Sequence, residues 1–170
     1  MKLLCRLALG WGAAALAGAA MAPAAGAPAL AAQEAQLRIA LAHTAAVIVG
    51  GADSLELRFP ARQAFAPDTA ELLPSGRAML DLLARSLRDF GGTQVVVAVY
   101  TDAIGSEEFN RQQARTRAVA LVAYLKSRGV APARLIARGV GEGAPLEAPN
   151  TPEGRDLNRR VVFTITPLSS

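Results

Sequence analysis

Residues 94–118 read QVVVAVYTDAIGSEEFNRQQARTRA and carry two adjacent patterns. Gln94 to Tyr100 is a continuous apolar run rich in valine, which is typical of a strand buried on both faces. After a short loop, Ser106 is suited to cap a helix that has two glutamates in its first turn. Apolar residues then recur on one face as far as Leu125. The stretch therefore predicts a strand, a loop and a long helix.

Patterns on both sides of this stretch extend the prediction. Residues 55–59 alternate apolar and charged side chains, which indicates a half-buried strand. Further elements are predicted as a helix from Pro74 to the Gly91-Gly92 pair, a strand at 134–138, a short helix at 151–157 and a last strand at 160–165. The order β-α-β-α-β-(short helix)-β predicts an α/β sandwich of the α+β type, with helices packed on a mixed sheet.

The first 32 residues contain only two charges, Lys2 and Arg6. An apolar run over residues 7–22 follows this positive start, and residues 29–31 satisfy the small-x-small rule for cleavage before Ala32. The run is shorter than the ~20 residues that span a bilayer. We therefore predict a secretory signal over residues 1–31, a lead segment over 32–53 and one domain over 54–168. An uncleaved membrane tether is the alternative.

The lead segment 32–53 is rich in alanine and ends its apolar pattern at Gly50-Gly51. Two interpretations stay open for it, a short helix or a segment that orders only partly.

Cys5 is the only cysteine, and it precedes the apolar run, whereas a lipid-modified cysteine would follow it. Its removal with the signal would exclude disulfides, cysteine nucleophiles and thiolate metal sites. The formal charge of +4 would fall to +2, since Lys2 and Arg6 would be lost. No basic stripe interleaved with aromatic residues occurs, so we expect no nucleic-acid partner.

The sequence offers no convincing catalytic set. His43 is the only histidine and cannot form a zinc site alone. Glu107 and Glu108 are adjacent on a helix and point in different directions. The glycine-rich run 139–143 is followed by Pro145 and not by a helix, so we expect a structural turn and not a phosphate loop. We therefore predict a protein that is not an enzyme, with no metal site and no cofactor.

Asp102 and Arg117 are the most informative charged pair. Asp102 follows a predicted buried strand, at the end where open α/β sheets tend to bind ligands. Arg117 lies about three turns into the next helix. Spacing alone leaves two interpretations open, a ligand site and a surface ion pair.

A resemblance to a known family favours the ligand site. From about Phe65 to Ile165 the chain resembles the C-terminal domain of the outer-membrane protein A (OmpA) family, which also occurs in peptidoglycan-associated lipoproteins and flagellar stator proteins. The resemblance is carried by these segments: 65–72 with Pro74 and Gly76, Thr101-Asp102, Gly105-Ser106, Phe109-Asn110, Arg117-Ala118, Gly129-Val130, Arg134-Leu135, Gly139, Gly141-Glu142, Pro145, Asn150-Thr151, Glu153-Gly154-Arg155 and 158–161. Val99-Tyr100 stands where the family usually has Gly-His, and Gln113-Ala114 where it usually has Leu-Ser.

The resemblance implies noncovalent binding of peptidoglycan through the diaminopimelate of its stem peptide, in the periplasm and at the cell wall. It implies that Asp102 takes the ammonium of diaminopimelate and Arg117 its carboxylate. Asn110 and the backbone around Thr101 would add neutral hydrogen bonds, and Arg160 is a weaker candidate. Peptidoglycan is thus the expected partner, with other envelope proteins as further partners. The alternative is a protein-interaction module of an envelope complex that has lost peptidoglycan binding.

Overall fold

The computed structural model describes residues 27–143, 145–148 and 150–168, so most of the predicted signal lies outside the described residues. Two further features fall outside the regular elements, a 3-10 turn at Pro132–Arg134 and an isolated bridge between Phe65 and Leu72. The helices and strands in chain order are α1 (Ala27–Ala40), β1 (Val47–Gly50), β2 (Leu55–Pro60), α2 (Ala61–Ala64), α3 (Pro74–Asp89), β3 (Thr93–Tyr100), α4 (Glu107–Ser127), β4 (Leu135–Gly141), α5 (Pro152–Asn158) and β5 (Arg160–Pro167).

The five strands form one mixed sheet in the order β1-β2-β5-β3-β4. Strand β5 is the last in the chain but lies in the centre, antiparallel to both β2 and β3. Strands β3 and β4 are parallel, and α4 connects them. The mixed α/β fold predicted from the sequence is confirmed, with β1 as one strand more than the sequence patterns indicated.

The core lies between one face of the sheet and helices α1, α3 and α4. Alternate strand residues such as Leu57, Val97 and Phe163 point into it and are fully or almost fully buried. Leu83 on α3 and Leu121 on α4 meet them from the helical layer. Burying each such side chain contributes roughly 1.5–3 kcal/mol. This packing fixes α4 against the sheet, and with it every side chain that α4 carries.

Helix α4 begins as the sequence predicts. The Oγ of Ser106 accepts a hydrogen bond from the Phe109 backbone N–H at 3.2 Å. Glu107 and Glu108 lie in the first turn, where negative charge favours the helix dipole. The short helix α5 is capped in the same way, since Thr151 Oγ1 accepts from the Gly154 N–H at 3.0 Å. Both caps fix the entry of the chain into a helix that borders the same cavity.

Two sequence-based predictions need correction. Strand β3 is fully buried only on its core face, because Gln94, Val96 and Tyr100 on its other face are partly exposed. The glycine-rich run 139–143 is not wholly a turn, because Gly139 and Gly141 lie in β4. Gly139 is needed there since α4 crosses directly over it.

The lead segment forms helix α1 followed by strand β1, which extends the sheet next to β2. Leu30, Leu37 and Leu41 of α1 are buried in the common core. The residues proposed for signal cleavage, 29–31, lie within this helix. None of the described helices is both long enough and apolar enough to cross a bilayer.

Gly139→Ala tests the close approach of α4 to β4. A Cβ at this position would come within 2.3 Å of the Arg115 backbone nitrogen and 2.5 Å of its Cα, so helix or strand must move. We expect the free energy of unfolding to fall by about 1–3 kcal/mol, as for other overpacked sites. Gly91→Ala is the matched control, because nothing lies within 4 Å of its added Cβ. Equal stability of the two variants in urea denaturation would contradict this account.

Gln33→Leu tests the packing of α1. Gln33 is fully buried, and neither polar atom of its amide has a hydrogen-bond partner among the described residues. Because a buried unpaired polar group costs roughly 1–3 kcal/mol, we expect leucine to raise the free energy of unfolding by a similar amount. Gln112→Leu is the control, since its side chain is exposed on α4 and its loss relieves no buried polar group, so it should give no gain. A Gln33→Leu variant less stable than the parent chain would overturn the prediction.

Candidate functional site

A cavity of about 580 Å³ opens beside the C-terminal end of β3. Its walls come from the loop after β3, the first half of α4, helix α2 with the turn that follows it, and the segment around α5. Six charged residues line it, three of each sign: Arg62, Asp68, Asp102, Arg117, Asp156 and Arg159. The formal charge of this lining is therefore zero. Four of the six side chains form ion pairs with one another, and Asp68 and Arg117 form none among the described residues.

Asp102 lies in the loop immediately after β3 and is 8% exposed. Its Oδ1 accepts a long hydrogen bond from the Ile104 backbone N–H at 3.4 Å, which folds the loop back on itself. Its Oδ2 accepts from Arg159 Nη1 at 2.7 Å. The carboxylate is thus held by both its own loop and a guanidinium from the other side of the cavity.

Thr101, the first residue of this loop, is fixed through its backbone. Its N–H donates to the Gly141 carbonyl at 2.9 Å, which joins the end of β3 to the end of β4. The Thr101 side chain is 6% exposed and lines the cavity. Its Oγ1 has no hydrogen-bond partner among the described residues. The Thr101 hydroxyl is therefore an unsatisfied buried polar group at the edge of the cavity.

Arg117 projects from α4 into the cavity and is 7% exposed. Its Nε donates to the Thr69 carbonyl at 2.7 Å, and its guanidinium lies 5.1 Å from the centre of the Phe65 ring. Burial lowers the pKa of Arg117, while the charge of Asp68 opposes this shift. No carboxylate among the described residues lies within ion-pair distance of it. Since arginine stays protonated in proteins, the cavity contains a buried cation that no described carboxylate contacts directly.

Asn110 is almost fully buried and braces the loop that carries Asp102. Its Nδ2 lies within hydrogen-bond distance of three acceptors, the Ile104 carbonyl at 3.0 Å, the Asp102 carbonyl at 3.3 Å and Glu142 Oε1 at 2.8 Å. The two hydrogens of the amide are shared among these acceptors. Asn110 borders the cavity, but its nitrogen is engaged by the protein itself.

The structure brings Thr101, Asp102, Asn110 and Arg117 together at one cavity, whereas Arg160 does not line it. Arg160 begins β5 with its side chain on the face away from the core, where its guanidinium lies 3.9 Å from the centre of the Tyr100 ring. Burial lowers the pKa of Arg160. Tyr100 is likewise not among the residues that line the cavity.

Sequence reasoning missed three cavity residues that form one chain of ion pairs. Arg159 contacts Asp102 and also Asp156, with its Nη2 donating to Asp156 Oδ1 at 2.7 Å. Asp156 in turn pairs with Arg62 through a short hydrogen bond. Hydrogen bonding from Arg159 lowers the pKa of Asp156. The only sequence signal was the Asn-Arg-Arg segment at 158–160. Its first arginine, Arg159, precedes β5, so the alternation of side chains along that strand does not predict where it points.

Nothing in the described part of the chain groups three or more histidine, cysteine, aspartate or glutamate side chains in a way that would hold a metal ion. His43 is exposed in the turn after α1 and does not border the cavity. The site therefore consists of carboxylates and guanidiniums, of which Asp68 and Arg117 form no ion pair among the described residues.

Comparison with known proteins gives a family and several relatives. Residues 64–159 match the model of the OmpA family. The chain is 32% identical over 136 residues to the probable lipoprotein YiaD of Escherichia coli (strain K12), covering 80% of this chain and 62% of that protein. It is 36% identical over 102 residues to the peptidoglycan-binding protein ArfA of Mycobacterium tuberculosis (strain ATCC 25618 / H37Rv), covering 60% of this chain and 31% of that protein. The chain thus spans less than two thirds of the length of either relative.

Among solved structures, a putative MotB-like protein from Desulfovibrio vulgaris superimposes with a TM-score of 0.75 at 26% sequence identity. The superposition covers 83% of this chain and 96% of the other. The matched region 64–159 contains the β3–α4–β4 unit together with five of the six charged residues of the cavity, while Arg62 lies just before it. By this match, which extends over more than half of its residues, the chain belongs to the OmpA family.

Proposed function

We propose that this chain binds peptidoglycan noncovalently at the cell wall of the periplasm, by holding the diaminopimelate of the stem peptide in the cavity beside β3. The names of its relatives support this environment, since ArfA is called a peptidoglycan-binding protein and YiaD a probable lipoprotein. The side chain of diaminopimelate ends in an ammonium and a carboxylate on one carbon. A site for it needs one anion and one cation that face the same space.

The buried, unpaired guanidinium of Arg117 is the observation that carries the proposal. Removing a charged group from water is unfavourable unless an opposite charge and hydrogen bonds compensate it. The Nε–Thr69 hydrogen bond, the Phe65 ring and the charge of Asp68 compensate Arg117 in part. A ligand carboxylate would complete the compensation with charge-assisted hydrogen bonds from the terminal nitrogens of the guanidinium.

Asp102 is the anion that would take the ammonium. It lies just after the C-terminal end of β3, and Asn110 holds its loop through hydrogen bonds to the Asp102 and Ile104 carbonyls. The free hydroxyl of Thr101 lies next to it in the chain and would accept from or donate to the same ligand. Asn110 thus acts in this proposal mainly by holding the loop, and its Oδ1 would accept a hydrogen bond from the ligand.

The balance of charge in the cavity suits a zwitterion. Three aspartates and three arginines line it, so a ligand with one charge of each sign leaves the balance unchanged. The proposal involves binding without a chemical step, in keeping with reversible attachment to a polymer that offers many identical sites. Other envelope proteins would then be organised around the anchored chain.

Co-sedimentation with purified diaminopimelate-type peptidoglycan tests the proposal. Asp102→Asn and Arg117→Gln each remove one charge while nearly keeping the hydrogen-bonding shape. Since a charge-assisted hydrogen bond contributes about 1.5–3 kcal/mol, we expect each variant to bind roughly 10- to 150-fold more weakly. Circular dichroism establishes first that every variant is folded.

Matched controls are Asp53→Asn and Arg85→Gln, which make the same changes at exposed positions outside the cavity. Both should pellet with the wall as the parent chain does. A parent chain that stays in the supernatant would overturn peptidoglycan binding and favour the protein-interaction module. Cavity variants that pellet fully would show that the chain binds the wall through another surface.

A further inference from the structure

Arg159 occupies the position in which a ligand ammonium is expected. Its Nη1 lies 2.7 Å from Oδ2 of Asp102, the carboxylate assigned to that ammonium. The same guanidinium contacts Asp156, which also pairs with Arg62. The charges therefore alternate along a chain that begins at Asp102 inside the cavity and ends at Arg62 near the surface.

Asp102 has Arg159 as its one cationic partner among the described ion pairs, whereas Arg159 has two anionic partners. The Asp102 side chain is only 10% exposed and has no other cationic partner among the described ion pairs. The Arg159 side chain is 40% exposed and keeps Asp156 as a second anion. The hydrogen bond with Asp156 is the largest contribution that raises the pKa of Arg159. Arg159 can thus yield one oxygen of Asp102 to a ligand without losing its own compensation.

We propose that Arg159 determines the selectivity of the site, which admits side chains carrying both an ammonium and a carboxylate and rejects side chains carrying an ammonium alone. This inference rests on the function proposed above and names the feature of the ligand that is recognised. The chemical class is an α-amino acid terminus, as in diaminopimelate, and the rejected class is a simple amine, as in lysine.

The reason is the charge next to Asp102. A lysine ammonium on Asp102 would lie beside the Arg159 guanidinium, and it would raise the charge of the balanced cavity by one. It would also leave Arg117 without a carboxylate in direct contact. The carboxylate of a zwitterion would compensate both cations, because Arg117 and Arg159 line the same cavity. Like charges brought together in this way disfavour the wrong ligand.

Removal of the Arg159 charge should therefore change selectivity more than affinity. In Arg159→Gln, Asp102 loses its internal partner and becomes an open anion. A lysine ammonium then meets no repulsion and gains an unpaired carboxylate. The zwitterion loses one of the two cations that face its carboxylate, but it keeps Arg117.

The test compares two soluble ligands that differ in one carboxylate, N-acetylmuramyl tripeptides that end in meso-diaminopimelate or in L-lysine. Calorimetry gives the dissociation constant of each for the parent chain, Arg159→Gln, Arg159→Lys and the exposed-surface control Arg85→Gln. We expect the parent chain to favour the diaminopimelate ligand on the order of 100-fold. The ratio should fall at least tenfold in Arg159→Gln and stay near the parental value in Arg159→Lys and Arg85→Gln.

The outcomes separate this inference from the proposed function. If the parent chain binds the diaminopimelate ligand and Arg159→Gln keeps the full ratio, the role of Arg159 is wrong and the binding site stands. A parent chain that binds both ligands equally has the same meaning. If the parent chain binds neither ligand, the site and the inference are both overturned. Arg159→Met, which removes the charge with a side chain of similar length, replaces Arg159→Gln if that variant does not fold.

Discussion

Helix α4 lies directly on β4 at Gly139, where an added Cβ would come within 2.3 Å of the Arg115 backbone nitrogen. This contact fixes how far along the sheet the helix begins, because Ser106 caps it at the end of a short loop. Asn110 and Arg117 are two turns apart on the same helix, so their positions over the end of β3 follow from that contact. The close contact between the α4 backbone at Arg115 and the β4 backbone at Gly139 thus positions the α4 side chains that line the cavity.

The charged side chains of the cavity differ in whether the protein itself supplies a partner of opposite charge. Asp102 and Asp156 each have a guanidinium partner within the protein, whereas Arg117 has a carbonyl and an aromatic ring but no carboxylate. A fully compensated cavity would gain little from a charged ligand, since every contact to the ligand would replace an internal one. Arg117, which no described carboxylate contacts directly, accounts for the preference for the carboxylate of the ligand. The Asp102–Arg159 pair, which a ligand can exchange, accounts for the preference for its ammonium.

Local sequence patterns predicted the helices and strands that build the cavity. They did not predict the contacts between residues far apart in the sequence. The valine run of β3, the Ser106 cap and the charged pair Asp102 and Arg117 are all readable within 25 residues of sequence. Strand β1 is only four residues long and follows an alanine-rich helix, so it is too short for an alternation of apolar and polar residues to be recognised. Sequence patterns do not distinguish the role of Arg159 from that of Arg160, because one residue of register decides which side of the sheet an arginine faces, and register depends on strand pairing.

The position of Arg159 also ties the site to the completion of the fold. Its carbonyl accepts from the Ala61 N–H at 2.9 Å, at the point where α2 leaves β2, and the next residue begins β5. Strand β5 is last in sequence yet central in the sheet, between β2 and β3. Asp102 follows β3, so the pair between Asp102 and Arg159 can form only when β5 has inserted between its two neighbours. The charge arrangement that we assign to selectivity is therefore a product of the whole sheet, and the local β3–α4 unit alone would present Asp102 without its counterion.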